Sequence, residues 1–235
     1  MEIADPDWGC THTKHSDEQS IHACIVNVED LTFIAQMLTQ SVLDTSWMLN
    51  MDAGTQRSYK YTANETAEAL VQIFNEVANG NPLGAEFGEV MVSIGSSRAL
   101  ELIFEHNRLP IAEIWKPQKK QNEGFDFHTE CNDNLINFGE AKYSASTNPH
   151  GEAIPQIGRF LNEEKHFRDR VHLINLTKQE SIENLDQDKY GVIAAFSITS
   201  QELDKIMANA LASIAKSDLI GKANKIYVVG VKCSK

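Results

Sequence analysis

The sequence predicts an α/β protein with a central sheet, and two patterns support this prediction. Three apolar runs have the length of buried strands: Ile21–Val28, Tyr190–Ile198 and Lys225–Val231. Other stretches carry their apolar residues at helical spacing, and the one at 84–94 is an example. An alternation of strands with amphipathic helices predicts a mixed sheet that is flanked by helices.

The first 62 residues are predicted to form an N-terminal α/β extension. Residues 1–20 are polar and are expected to be a loop or poorly ordered. After the strand at 21–28, apolar residues at helical spacing predict a helix over 29–44. The apolar segment 46–49 is read as a short strand, and the polar segment 52–62 as a turn followed by a loop.

Residues 63–235 are predicted to form the core domain. Asn64 is the expected N-cap of its first helix, which ends at Gly80–Pro82. The remaining elements are expected in this order: a helix over 84–105, a strand over 111–115, a basic loop at 116–120, a hairpin over 123–146, a helix over 152–168, a strand over 190–198, a helix over 201–217 and a strand over 225–231.

Composition limits the class of protein and its partners. A chain of 235 residues is long enough for one α/β domain with extensions. No stretch approaches the roughly 20 apolar residues of a membrane span, and the acidic start of the chain is unlike a signal peptide, so we expect a cytoplasmic protein without membrane contact. In a reducing cytosol the four scattered cysteines are expected to remain thiols.

The net charge of −12 argues against a protein that binds nucleic acid on its own, because such binding depends largely on Lys and Arg. Two explanations would reconcile this charge with a nucleic-acid substrate. A metal site is rich in carboxylates until the ion neutralises them. Alternatively, a basic partner protein holds the nucleic acid and presents it, and this second explanation is favoured.

The N-terminal region offers one possible zinc site. Its potential ligands are Cys10, His12, His15, His22 and Cys24. Their spacing fits no standard zinc finger, so zinc binding is a minor alternative.

The predicted hairpin at 123–146 carries the main candidate site. Asp126 lies between two phenylalanines, and strand alternation is expected to turn its carboxylate away from both rings. On the second strand, Glu140 and Lys142 share one face while Ala141 points to the other. Pairing of the strands would bring Asp126 and Glu140 together. Neither Glu140 nor Lys142 is expected to lie in the core.

Two carboxylates with a neighbouring lysine suit metal-assisted hydrolysis of a phosphodiester. Mg²⁺ (or Mn²⁺) prefers oxygen ligands and is commonly held by one or two carboxylates together with waters and a phosphate. We therefore expect Asp126 and Glu140 to bind the metal, and Lys142 to stabilise the charge that develops in the reaction.

A Glu-x-Lys triplet alone is weak support for such a site, and the chain contains a second one at Glu163-Glu164-Lys165. That triplet lies in a polar, helix-like stretch and is interpreted as a solvated helix face. The first triplet is favoured by its apolar strand, by the preceding Gly139, and by the upstream Asp126.

These three residues and the element order from Gly84 onward resemble the PD-(D/E)XK nuclease superfamily. The resemblance implies a restriction-endonuclease-like core over 63–235 and a Mg²⁺-dependent nuclease activity. In that superfamily a helix before the sheet often adds a carboxylate, which here would be Glu89 or, almost equally, Glu86. Some members carry a glutamine on the helix after the site, which here would be Gln156.

A narrower resemblance is to the nuclease subunit of Hachiman-type bacterial anti-phage systems. It implies a DNA nuclease that is restrained by a helicase partner, which agrees with the acidic charge. The residues that carry it are Gly84, Glu86, Gly88, Glu89, Gly124, Phe125, Asp126, Gly139, Glu140, Ala141 and Lys142.

Several residues are candidates for contacting nucleic acid, and two alternatives to a DNA nuclease stay open. The candidates are Lys116, Lys119, Lys120 and Gln156, although a solvated loop is the default interpretation of the lysines. One alternative is a catalytically silent, nuclease-like subunit that binds or regulates a partner. The other is hydrolysis of RNA instead of DNA.

Overall fold

A computed structural model describes residues 1–116 and 124–233 of the chain, except for the side chain of Cys233. One eight-stranded mixed sheet forms its centre, in the order β1-β2-β3-β8-β7-β6-β5-β4. The strands are β1 (Glu2–Asp5), β2 (Cys10–Glu18), β3 (Ile21–Val28), β4 (Asn107–Arg108), β5 (Phe127–Glu130), β6 (Ile136–Lys142), β7 (Gly191–Ile198) and β8 (Lys225–Cys233). The predicted α/β class with a mixed sheet flanked by helices is therefore confirmed.

The helices cover both faces of the sheet. They are α1 (Leu31–Leu43), α2 (Ala53–Ala78), α3 (Ala85–Phe104), α4 (Ala112–Trp115), α5 (His150–Asn162), α6 (Lys165–Leu173), α7 (Gln179–Leu185) and α8 (Leu203–Ala215). Buried side chains of α1 to α4 form one apolar core with the sheet, and those of α5 to α8 form a second core on the opposite face.

The central strands are buried because helices lie on both sides of them. β3, β8, β7 and β6 pair in parallel, and all eight residues of β7 are buried. Side chains alternate along β7, so Val192 and Ala194 enter the core under α5–α8 whereas Ile193 and Ala195 enter the core under α1–α4. The apolar runs predicted as buried strands are thus found in the middle of the sheet.

The N-terminal residues differ from the expectation of a loop. Residues 1–20 contain β1 and β2, which pair in antiparallel fashion with each other, and β2 also pairs antiparallel with β3. β3 then pairs in parallel with β8, so these strands extend the same sheet that carries the candidate site. The predicted boundary at residue 62 falls inside α2, which runs through it without a break.

Helix α2 begins earlier than predicted. The Asp52 carboxylate accepts hydrogen bonds from the backbone N–H groups of Gly54 and Thr55 and so caps the helix, in place of the predicted cap at Asn64. The sequence predicts a loop at 52–62 because this segment is mostly polar, and few of its residues show the apolar spacing of a helix. That spacing continues from Tyr59 through Ala63 on the buried face.

Three further predictions of local structure were wrong. Ser46–Met48 is a short 3₁₀ helix, and Ala112–Trp115 is one turn of α-helix, although both were read as strands. Apolar runs of four residues do not distinguish a strand from a buried turn of helix. The helix predicted over 152–168 is two helices, because the chain turns at Glu164, which has a positive φ of 54°.

No helix in the ranges 1–116 and 124–233 combines the length and the apolar character that are needed to cross a bilayer.

Candidate functional site

β6 carries Glu140 and Lys142, and its register with β5 is fixed by close packing at Gly139. Phe127 is directly opposite Gly139 in this antiparallel pair. A β-carbon at Gly139 would overlap the Phe127 ring, so only glycine allows the ring to lie across β6. The hairpin register thus places the residue before Phe127, which is Asp126, beside the Glu140 segment.

Asp126 lies just before β5, and its carboxylate is hydrogen-bonded to the backbone of β6. Its Oδ2 accepts a hydrogen bond of 2.7 Å from the backbone N–H of Ala141, and its own N–H donates to the Gly139 carbonyl at 2.9 Å. The prediction that Asp126 points away from two phenylalanines on one face was wrong. Phe125 belongs to the core under α5–α8 and Phe127 to the other core, so simple alternation does not hold here.

Glu140 is fully buried, which contradicts the expectation that it would lie outside the core. Its Oε1 accepts from the Lys142 ammonium at 2.6 Å and from the side-chain amide of Gln156 on α5 at 2.5 Å. Its Oε2 is buried and has no hydrogen-bond partner. A buried carboxylate oxygen without a partner is costly in a folded protein, so Oε2 is the atom of Glu140 at which a cation or a hydrogen-bond donor would stabilise the protein most.

Burial is the main cause of raised pKa values among the acids of the site. Burial raises the pKa of Glu140 to about 9, repulsion by Asp126 adds to the shift, and Lys142 opposes it. Burial also raises the pKa of Asp126 to about 6. The hydrogen bond from the Ala141 N–H and the charge of Lys142 lower this pKa, whereas the charge of Glu89 raises it further. Desolvation lowers the pKa of Lys142, but the attraction of Glu140 and the other acids outweighs it, so this pKa is raised.

Sequence reasoning missed Glu113, a further acid in this cluster. It lies on α4, whose first N–H, that of Ala112, donates to the Asp126 carbonyl at 2.9 Å. Burial, followed by repulsion from Asp126, raises the pKa of Glu113 to about 8, and its Oε2 is buried without a hydrogen-bond partner. The available signal was a single acid inside the apolar segment Leu109–Trp115.

Helix α3 brings Glu89 towards the site because Gly88 allows close packing. A β-carbon at Gly88 would overlap the ring of Tyr143, the residue that follows β6. Burial raises the pKa of Glu89, Lys142 opposes the shift, and Glu86 adds to it. The Glu89 side chain is nevertheless exposed, as is that of Glu86 one turn earlier.

Of the three lysines predicted to contact nucleic acid, Lys116 lies in the described part of the chain. The Lys116 ammonium lies 2.7 Å from Asp169 Oδ1 and donates to the Phe125 carbonyl at 3.1 Å. Asp169 also contacts the buried His128 through its second oxygen at 3.0 Å. Lys116 thus ties α6 to the hairpin, whereas Lys119 and Lys120 lie outside the described residues.

Gln156 reaches the site, but its side chain contacts Glu140. It was predicted to bind nucleic acid, and its observed contact instead orients a carboxylate.

The second Glu-x-Lys triplet is only partly a solvated helix face. Glu163 and Glu164 are exposed, but Lys165 is 5% exposed and pairs with Glu163 at 3.0 Å.

Within residues 1–116 and 124–233, no group of three or more His, Cys, Asp or Glu side chains is arranged to hold a metal. The N-terminal zinc candidates are engaged elsewhere: His12 contacts Asp5 at 3.3 Å and His22 contacts Asp17 at 2.6 Å. Asp126 and Glu140 still fit a hard cation that takes one or two carboxylates and keeps its waters. The partnerless oxygen of Glu140 and the mutual repulsion of the acids favour such an ion.

No protein-family model, no curated protein and no solved structure matches this chain.

Proposed function

We propose that the protein is a metal-dependent DNA nuclease that hydrolyses phosphodiester bonds. The observation that carries the proposal is the Glu140 carboxylate. It is fully buried beside a lysine, repelled by Asp126, and left with one oxygen that has no partner. The resemblance to the PD-(D/E)XK superfamily supports the same assignment, because the motif residues Asp126, Glu140 and Lys142 are all present.

In this proposal Asp126 and the partnerless oxygen of Glu140 hold Mg²⁺ or Mn²⁺. The bound ion supplies a more acidic water and neutralises charge on the phosphoryl oxygens. Lys142 would orient the attacking water and stabilise the negative charge that develops as the water oxygen bonds to phosphorus and the ester P–O bond breaks, while the water releases a proton to solvent and the leaving oxygen takes one from solvent. Gln156 holds Glu140 in place through Oε1, which leaves Oε2 for the metal.

Glu89 and Glu113 lie near the site, but neither joins a metal cluster of three residues in the described part of the chain. Burial raises the pKa of Glu113 to about 8, which favours its protonated form at neutral pH in the metal-free protein. Metal binding then removes protons from the cluster, so the affinity for metal rises with pH.

The charge of −12 suggests that DNA reaches this site with the help of a basic partner. The narrower resemblance points to a helicase in that role, with the nuclease as the effector of a cytoplasmic anti-phage defence complex. A partner that delivers single-stranded or unwound DNA would compensate for the absence of a basic groove among the described residues around Glu140.

A second candidate is a catalytically silent subunit with a nuclease-like fold. One observation favours it: Oε1 of Glu140 already accepts hydrogen bonds from both Lys142 and Gln156. If these contacts persist in every state, the lysine is a structural counterion and the site binds no metal.

Metal binding separates the two candidates and does not require the partner. Mn²⁺ and Mg²⁺ are titrated into the wild type, Glu140→Gln and Lys142→Ala, and Glu163→Gln from the second triplet is the matched control. The amide variant is preferred to alanine because Glu140 is buried. For a nuclease, the wild type and the Glu163 variant bind the ion at millimolar concentration or better, and Glu140→Gln does not.

Cleavage is then measured on single- and double-stranded DNA and on RNA, with and without co-purified partner proteins. We expect the wild type and Glu163→Gln to cleave DNA, and Glu140→Gln and Lys142→Ala to be inactive with unchanged circular dichroism spectra. Equal metal binding by the wild type and Glu140→Gln would refute the metal site. Absence of any binding would favour the silent subunit.

A further inference from the structure

Glu113 is a second acid near the metal site whose carboxylate has an oxygen without a partner. Its Oε2 is buried, and no group among the described residues donates a hydrogen bond to it. Within residues 1–116 and 124–233, Oε2 of Glu140 is the only other carboxylate oxygen in this condition. Buried acceptors without a partner are rare in folded proteins, and a water or an ion at the site is one explanation for them.

The backbone holds Glu113 beside Asp126. The first N–H of α4, that of Ala112, donates to the Asp126 carbonyl at 2.9 Å. At the end of α4 the ring of the buried Trp115 lies 5.4 Å from that of His128 on β5, so both ends of this helical turn are fixed to the hairpin. Burial raises the pKa of Glu113 first, and repulsion by Asp126 is the largest effect of any charge on it. The two carboxylates therefore lie close enough to interact electrostatically.

The nearby lysines are bound to other carboxylates. The ammonium of Lys116 lies 2.7 Å from Asp169, and that of Lys142 lies 2.6 Å from Glu140. Neither of them donates a hydrogen bond to Oε2 of Glu113. A further hydrogen-bond donor would therefore stabilise Glu113 in its charged form.

Glu113 and Glu89 differ in their contact with water. Glu89 is exposed, so solvent hydrates its carboxylate and no ligand is needed. Glu113 and Asp126 are each half-buried, so water and a small ion can reach this side of the site. Because the last torsion of a glutamate side chain is soft, a small rotation brings Oε2 of Glu113 towards that side.

A metal ion at this site does not need Glu113 as a direct ligand. No group of three His, Cys, Asp or Glu side chains in the described ranges is arranged to hold a metal. Mg²⁺ is usually bound by one or two carboxylates and keeps several waters. Those waters are good hydrogen-bond donors because the ion polarises them. Groups that hold metal ligands in place through hydrogen bonds contribute strongly to metal affinity.

We propose that Glu113 holds a water of the bound Mg²⁺ or Mn²⁺ by accepting a hydrogen bond from it at Oε2, while Asp126 and Glu140 bind the ion itself. This inference rests on the proposed function and adds a residue that the Asp126, Glu140 and Lys142 motif does not contain. Glu113 is a positioning residue in this arrangement, because it acts on the ion through the water.

Binding of Mn²⁺ to the full chain is measured by electron paramagnetic resonance of the free ion, which requires neither DNA nor a partner protein. Glu113→Gln keeps the shape of the side chain and removes its charge. Loss of a group that supports a metal site through hydrogen bonds typically weakens metal binding by about 10- to 100-fold, and we expect a loss of this size for Glu113→Gln.

Glu130→Gln is the matched control. Glu130 is a buried acid of β5, and its Oε1 accepts hydrogen bonds from the Lys178 N–H and the Ser181 hydroxyl. It lies about 13 Å along the strand from Asp126 at the usual rise per residue. We expect Glu130→Gln to lower the melting temperature and to bind Mn²⁺ as the wild type does, which separates a loss of stability from a loss of support for the ion.

A crystal structure of the wild type with Mn²⁺ tests the contact itself and does not depend on the folding of a variant. With one water between them, the ion and the nearer Glu113 oxygen should be about 4 Å apart, given a metal–water distance of about 2.1 Å and a hydrogen bond of about 2.7 Å. A Glu113 oxygen that ligates the ion directly, or that lies more than about 6 Å from it, beyond the reach of one bridging water, would overturn the proposal.

The titration distinguishes failure of this inference from failure of the proposed function. If the wild type and Glu113→Gln bind Mn²⁺ equally well, the role of Glu113 is refuted and the metal site at Asp126 and Glu140 stands. Equal losses of affinity in Glu113→Gln and Glu130→Gln would also refute it, because they would reflect a weakened fold. If the folded wild type binds no Mn²⁺ at millimolar concentration, the inference and the proposed metal site fail together.

Discussion

Replacing Glu140 by glutamine should change how the stability of the metal-free protein depends on pH. The folded protein raises the pKa of Glu140 from its ordinary value of 4.5 to about 9. Between these values the folded state holds a proton at this site that the unfolded chain has lost. Stability contributed by the site therefore falls as the pH rises.

The size of this effect follows from the proton count. One bound proton corresponds to about 1.4 kcal/mol of unfolding free energy for each pH unit. Between about pH 6 and pH 8, the stability of the wild type should therefore fall by roughly 3 kcal/mol because of Glu140. Glutamine has nearly the same shape, keeps an acceptor for Lys142 and Gln156, and does not titrate. Over the same range Glu140→Gln should gain this amount relative to the wild type.

Urea denaturation in EDTA at the two pH values measures the difference, with Glu163→Gln as the control that should parallel the wild type. Glu113 contributes in the same direction to every protein in the set, because its pKa is also raised. Parallel pH profiles for the wild type and Glu140→Gln would refute the argument, since they would mean that Glu140 ionises normally in the folded state.

Two further predictions concern the packing and the ion pair that position the site. Gly88→Ala should destabilise the protein by about 1–3 kcal/mol because the new methyl group overlaps the Tyr143 ring. In the same helix, the methyl group of Gly95→Ala meets no atom within 4 Å, so this variant should be neutral or stabilising. Equal melting temperatures for the two variants would contradict this prediction. Lys116→Met should cost about 2–4 kcal/mol in urea denaturation, because it removes the cationic partner of the buried Asp169 and leaves that carboxylate only its contact with His128. Lys205→Met breaks an exposed pair and should cost under about 0.5 kcal/mol. Similar losses for the two variants would mean that burial of the first pair has no energetic consequence.

Elements with a strong apolar pattern were predictable from the sequence. The bounds of β3 match the predicted run Ile21–Val28, and β7 differs from its predicted run by one residue. β2 was missed because Cys10–Glu18 is mostly polar and lies near the edge of the sheet, where burial leaves little trace in the sequence. Its strand conformation is set by pairing with β3, which is a tertiary effect.

Three acidic or basic residues of the candidate site could be named from the sequence, but their burial and the presence of Glu113 could not. The motif identified Asp126, Glu140 and Lys142, and the structure places Lys142 against Glu140. Full burial of Glu140 depends on the position of α5 relative to β6, and no local pattern encodes that position. Glu113 joins the cluster because α4 packs on the Asp126 backbone, and the sequence does not show this contact.

The position of β8 has a consequence for when the sheet can be completed. Within the described residues, β8 lies between β3 and β7 and joins the N-terminal strands to the strands that carry the acids. During synthesis, each half of the sheet therefore waits with an open edge until residues 225–233 leave the ribosome. A chain that stops before residue 225 would lack the strand that joins these two halves, and β7 would lose its pairing partner on that side.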